Sequence, residues 1–128
     1  MCVAQRQSSL KPPPESPSSG GACDLNAVYF DYDSSTLSDS ARDQLSRNAT
    51  CIRERGVRGV QLTGMTDPRG TEEYNLALGE RRAQSAQQYL KSLGADTDVA
   101  VSSMGEEVAS GSDESSWARD RRVDVKGR

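Results

Sequence analysis

Residues 66–83 read TDPRGTEEYNLALGERRA and set acids, arginines and a Pro-Arg-Gly turn directly against the start of a helix. Winding that helix at about 100° per residue puts Arg82 within about 40° of Leu78. Ala86, Tyr89, Leu90 and Leu93 share that face, while Arg81 points away. Arg82 falls in the first half of the helix, so its long side chain leans back toward the N-terminal end and the loop before it. A guanidinium on an apolar face needs a partner, because an unpaired buried charge costs several kcal/mol. Asp67 in the loop and Asp31 at the end of an upstream apolar segment are the nearest acids in topology. Two arrangements answer the charge. In one, Arg82 pairs directly with an aspartate and locks the loop. In the other, Arg82 and an aspartate line a small open pocket and hold the two ends of a ligand that carries both a carboxylate and an ammonium. The guanidinium fork matches a carboxylate, aspartate accepts from an ammonium, and N–H groups opening the helix add donors. A zwitterionic amino-acid group is the simplest such guest. The set needs no nucleophile and no metal, which suits binding better than turnover.

Other chemistry is poorly served. The chain has no histidine, which removes imidazole bases, His-based triads and His-Cys zinc sites. Asp31 and Asp33, two apart on an expected strand, face one side by periodicity alone and make a weak metal pair. Gly64 and Gly70 read as turn glycines, since no GK[ST] follows them. No metal and no cofactor is expected, and no set of paired acids or activated nucleophile marks an enzyme. A net charge of −3, from 16 basic and 19 acidic residues, argues against nucleic acid as a partner. No apolar run approaches the length of a membrane span. Trp117 reads as packed against the domain or as part of a partner surface. Arg119, Arg121 and Arg122 form a basic cluster, either solvated beside Asp120 and Asp124 or on the pocket rim.

Residues 1–22 read as a flexible N-terminal tail and residues 23–128 as one folded domain. The stretch QRQSSLKPPPESPSSGG, residues 5–21, holds four of the five prolines and too little apolar surface to offset its ordering entropy. Three cysteines stand at positions 2, 23 and 51. Cys23 and Cys51 are either a disulfide stapling the first strand to the first helix or two small buried thiols. Cys2 heads the tail and is either a free thiol or the attachment point of a lipid.

The elements that must position Arg82 follow from periodicity. AVYFDYD, residues 27–33, reads as a strand. A helix capped by Ser38 or Asp39 runs to about Arg55 and stops at Gly56, with Leu37, Ala41, Leu45, Asn48, Ala49 and Ile52 inward and Cys51 at the margin. A second strand covers residues 57–64. A second helix starts near Thr71, carries Glu72 and Glu73 in its first turn, and runs to Leu93. A third strand spans residues 98–105, SDESSWARD makes a short helical turn, and residues 121–127 alternate as a fourth strand. The fold class is α+β, with two main helices on one face of a mixed four-stranded sheet. The order of the strands cannot be read.

VYFDYD, the Thr66-Asp67 pair with Leu78, Arg82 and Ala83 following, and WARDRRVDV together resemble the periplasmic peptidoglycan-binding domain of the outer-membrane protein A family, most of all its lipid-anchored members. The resemblance spans residues 27–126. It implies a βαβαβ-type fold with a further strand, no catalytic activity, and non-covalent binding of the diaminopimelate residue of the peptidoglycan stem. Carried over residue by residue, Asp67 and Arg82 hold the ligand, and Leu78, Phe30 and Asp31 form or support the pocket. It further implies an acylated Cys2 in the outer membrane, a periplasmic location, a Cys23–Cys51 disulfide and a Tol-type beta-propeller partner. The alternative under the same fold is a protein-interaction module, either a Tol-linked adaptor or a flagellar-stator-like element. Two positions depart from the pattern. Met65 stands where a polar residue is usual and cannot donate a hydrogen bond, and Asp120 stands where an asparagine is usual.

Overall fold

A computed structural model of the chain describes residues 25–95 and 97–128. Four strands, β1 (Val28–Tyr29), β2 (Gly59–Met65), β3 (Asp98–Gly105) and β4 (Arg122–Gly127), form one sheet in the order β1-β4-β2-β3. Three helices, α1 (Asp39–Arg55), α2 (Glu72–Ser92) and α3 (Glu114–Asp120), pack on it. β2 and β3 run parallel, which obliges a crossover, and α2 supplies it. β4 lies antiparallel between β1 and β2. The sheet is therefore mixed, as the element pattern implied, with the last strand inserted at its centre.

Local chemistry sets the helix ends. Ser38 accepts from the Ala41 N–H at 3.2 Å and opens α1, and Gly56 closes it at φ 62°. Ala41, Leu45, Asn48, Ala49 and Ile52 are buried along one stripe. Asn48 is polar yet fully buried because its amide serves Asn26, accepting from the Asn26 N–H and donating to the Asn26 carbonyl, and so ties α1 to the segment entering β1. Thr71 accepts from the Tyr74 N–H and opens α2, with Glu72 and Glu73 in the first turn. Val60 and Leu62 of β2 join Val123 and Val125 of β4, Leu45 and Ile52 of α1, and Ala83, Ala86 and Leu90 of α2 in the core. On the opposite face Gln61 donates to the Ser102 hydroxyl and Arg122 pairs with Asp124, as suits a sheet with one wet side.

Three expectations need correction. β1 is two residues long rather than seven. Phe30 still donates its N–H to the Arg121 carbonyl at 2.8 Å, but the chain then turns, and Asp33 adopts φ 52°. Asp31 and Asp33 are consequently not neighbours on a strand face. Gly64 is not a turn glycine. It lies within β2, where a methyl group on its Cα would sit 1.7 Å from the Gly79 carbonyl oxygen of α2. α2 thus approaches β2 closely at Gly79, with Ala83 buried beyond it, while Tyr89 and Leu93 farther along the helix are only partly buried. Arg82 stays inward, one turn beyond Gly79.

Cys51 is disulfide-bonded; Cys2 and Cys23, with the tail expected over residues 1–22, lie outside the described residues. Among the described residues, no helix is long and apolar enough to cross a membrane.

Candidate functional site

The loop after β2, the first turns of α2 and the turn after β1 converge on a cavity of about 120 Å³. Arg82, Leu78, Asn75 and Tyr74 of α2 line it, with Thr66, Asp67, Arg69 and Gly70 from the loop and Tyr32 and Asp33 from the turn. Arg82 is 1% exposed, the largest fully buried side chain of the described residues.

The guanidinium makes neither of the two bridges its position invited. Its Nε donates to the Ser34 carbonyl at 2.8 Å, Nη1 to the Met65 carbonyl at 2.9 Å and Nη2 to the Asp31 carbonyl at 3.0 Å. Arg82 thereby bolts the β1 turn to the end of β2 through three backbone oxygens. The Phe30 ring lies 5.3 Å from its Cζ. Among the described residues no carboxylate pairs with it. Burial pushes its pKa down to about 10, opposed by the field of Asp67, so at neutral pH it remains a cation. Five N–H donors serve three carbonyls. A buried positive charge therefore borders a cavity with donor capacity to spare. In the same wall Thr66, 2% exposed, adds a hydroxyl oxygen with no hydrogen-bond partner among the described residues.

Asp67 is buried and paired elsewhere. Its Oδ1 accepts from the Arg69 N–H at 3.1 Å and from Arg69 Nε at 3.2 Å, and its Oδ2 accepts from Arg69 Nη2 at 2.8 Å. Arg121 approaches Oδ2 to 3.7 Å. Burial by itself would push the Asp67 carboxyl up, but the hydrogen bonds and charge of Arg69, with the charge of Arg121, outweigh it and hold the carboxyl below its ordinary value of 3.8. A depressed carboxyl pKa stabilises the fold above the unfolded value near 3.8 and loses that contribution as pH falls through the folded value. Urea unfolding at stepped pH from 5 to 2.5 should show the wild-type midpoint falling more steeply with acid than the midpoint of Asp67→Asn. Parallel slopes would refute this assignment.

Phe30 and Asp31 support the cavity without lining it. Phe30 is buried beneath Arg82, and Asp31 contributes its backbone carbonyl while its residue is exposed. Their neighbours Tyr32 and Asp33 line the cavity instead, turned there by the left-handed backbone at Asp33. The Tyr74 hydroxyl donates to the Asp33 carboxylate. Asn75 donates to the Arg69 carbonyl at 3.0 Å and to Glu106 at 2.7 Å, closing the wall between loop and helix. Met65 is buried and does not fill the cavity; its role is the carbonyl it offers Arg82. Asp120, at 1% exposure, accepts from the Ser110 N–H at 3.0 Å and the Ser110 hydroxyl at 2.9 Å, so both carboxylate oxygens brace the loop before α3. Among the described residues, no group of three or more Cys, Asp or Glu is placed to hold a metal ion.

The model of the OmpA family matches residues 29–123. The chain is 47% identical over 105 residues to the peptidoglycan-associated lipoprotein of Pseudomonas putida, covering 80% of this chain and 63% of that protein. It shares the same identity with the protein of that name from Pseudomonas aeruginosa, over 62% of its length. The chain thus spans about three fifths of these curated relatives. The crystal structure of the peptidoglycan-associated lipoprotein from Burkholderia pseudomallei superposes with a TM-score of 0.74 at 40% identity, over 80% of this chain and 90% of that one. The C-terminal domain of Helicobacter pylori MotB superposes at 0.72 with 16% identity, a likeness of fold alone.

Proposed function

This chain belongs to the OmpA family, and from that premise we propose that it binds peptidoglycan non-covalently through the diaminopimelate residue of the stem peptide. The observation carrying the proposal is Arg82, a buried cation that pairs with no carboxylate among the described residues, set against a cavity beside a Thr66 hydroxyl that has no hydrogen-bond partner among them. In this reading the ligand carboxylate enters between Arg82 and Thr66 and supplies the missing anion. Its ammonium lies toward Asp33 and Asp67, and the Leu78 side chain packs against its methylenes. A direct Asp67–Arg82 bridge, which would have favoured a pure protein-interaction module, does not form. The function is binding rather than catalysis, and the wall-associated names of the relatives agree with it.

The wider role extends the same proposal: tethering of the outer membrane to the wall from the periplasm, with a lipid on Cys2 as anchor, Cys23 as the partner of Cys51 and a Tol-type beta-propeller as protein partner. Co-sedimentation with purified sacculi tests the core of it. The protein should pellet with diaminopimelate-type walls at least about tenfold more than with lysine-type walls, which lack the second carboxylate. Equal pelleting would overturn diaminopimelate as ligand, and pelleting with neither would overturn wall binding.

A further inference from the structure

Asp67 is one of the two charged groups proposed to meet the ligand, and its own loop holds it through a single residue, whose backbone N–H and guanidinium both donate to the carboxylate. Its orientation depends on Arg69, which takes both carboxylate oxygens in a fork. Arg69 would ordinarily be a mobile surface side chain. Here its Cζ lies 3.9 Å from the centroid of Tyr32 and 4.1 Å from that of Trp117, so an aromatic ring lies within cation–π distance from each of two separate segments. Tyr32 comes from the β1 turn and Trp117 from α3, while Arg69 belongs to the loop after β2. Arg121, at the C-terminal end of α3, closes the set by donating to the Phe30 carbonyl at 3.0 Å and lying beside Asp67 and Glu114.

We propose that Arg69 and Trp117 are positioning residues of the pocket: the Trp117 and Tyr32 rings hold the Arg69 guanidinium, and that guanidinium fixes the Asp67 carboxylate at the cavity wall. α3 is thereby part of the binding apparatus although none of its residues lines the cavity. The chemistry specifies the parts. A planar guanidinium satisfies stacking and the bidentate fork together, and an ammonium does neither. An aromatic ring at position 117 preserves the contact, and a branched aliphatic side chain removes it. Trp117 is the chain's single tryptophan, so its emission reports on Arg69 directly.

This inference rests on the wall-binding reading for its effect on affinity, but not for its effect on Asp67. The charged groups facing Asp67 are Arg69 of its own loop, Arg121 beyond α3 and Arg82 of α2. NMR titration of the Asp67 carboxyl should place its midpoint higher in Arg69→Gln and in Trp117→Leu than in the parent, and unchanged in Trp117→Phe. In calorimetry with the tripeptide L-Ala-γ-D-Glu-diaminopimelate, Trp117→Phe should stay within about threefold of the parent. Trp117→Leu and Arg69→Lys should each bind at least about tenfold more weakly. Trp117 emission should shift on saturation with the tripeptide in the parent, and that shift should be lost in Arg69→Gln. An Asp67 midpoint unmoved by Arg69→Gln overturns the inference whether or not the ligand binds. Parent-like binding by Trp117→Leu and Arg69→Lys, with Arg82→Lys inactive, overturns it and leaves the wall-binding reading intact. Failure of the parent to bind the tripeptide removes that reading, and the Asp67 midpoints then decide this inference alone.

Discussion

Replacing Arg82 should abolish wall binding and loosen the fold together, because the proposed ligand contact and three backbone contacts fall on one side chain. Arg82→Leu removes the donor from the Asp31, Ser34 and Met65 carbonyls at once. Each orphaned buried acceptor costs about 1–3 kcal/mol, partly relieved by water entering from the cavity. Three such losses, partly offset in this way, leave a net destabilisation of about 3–5 kcal/mol. Arg82→Lys is the more discriminating variant. It keeps the charge but cannot span three carbonyls, so it should lose about 2 kcal/mol while remaining folded. Its binding should fall by about 100-fold, since an ammonium spent on the carbonyls has no fork left for a carboxylate. Urea midpoints and sacculus co-sedimentation of the two variants measure both effects. An Arg82→Leu protein as stable as its parent would show that the three carbonyl contacts carry no weight.

The second large effect lies away from any charge. Gly64→Ala places a methyl group 1.7 Å from the Gly79 carbonyl oxygen, and both elements there are backbone, with no rotamer to yield. α2 must lift from β2 or the strand must buckle, at a cost of about 3 kcal/mol or more, the upper end for overpacking. Arg82 rides on α2 and Met65 ends β2, so the same displacement lengthens the 2.9 Å bond between Arg82 Nη1 and the Met65 carbonyl. Stability and wall binding should fail together. Gly59→Ala, in the same strand, is the control. Its nearest obstruction is the end of the flexible Arg128 side chain at 3.0 Å, and it should cost less than about 1 kcal/mol. Equal midpoints for the two variants would remove the close contact of α2 and β2 from the account.

These effects divide along the line between local and non-local information. Ser38 and Gly56 announce α1, Thr71 and the two glutamates after it announce α2, and the structure places both helices within a residue or two of those signals. Arg82 was conspicuous for the same reason: the helical period alone makes a charge on an apolar stripe visible. What the charge touches was not visible. Both expected partners were carboxylates, but the backbone of the β1 turn and the end of β2 reached the guanidinium first, and no side-chain pattern encodes a carbonyl. Arg69 stands two residues from Asp67, yet its fork onto that carboxylate depends on Tyr32 and Trp117 arriving from elements far apart in the chain. VYFDYD reads as a continuous strand because its residues favour one. The turn at residues 31–33, which swaps Phe30 and Asp31 for Tyr32 and Asp33 at the cavity, is imposed by tertiary contacts with Arg82. The insertion of β4 between β1 and β2 depends on pairings that no local segment specifies.

The anion subsite is tested most directly by changing one group on the ligand and nothing on the protein. Calorimetric titration should compare the stem tripeptide bearing a free side-chain carboxylate on diaminopimelate with the same tripeptide carrying that group as a carboxamide. The charge of the buried Arg82 and the open Thr66 hydroxyl favour the carboxylate by at least about 30-fold, on the scale of one charge-assisted hydrogen-bonded pair. Equal affinities for the two would mean that the guanidinium serves only to bolt the loops together.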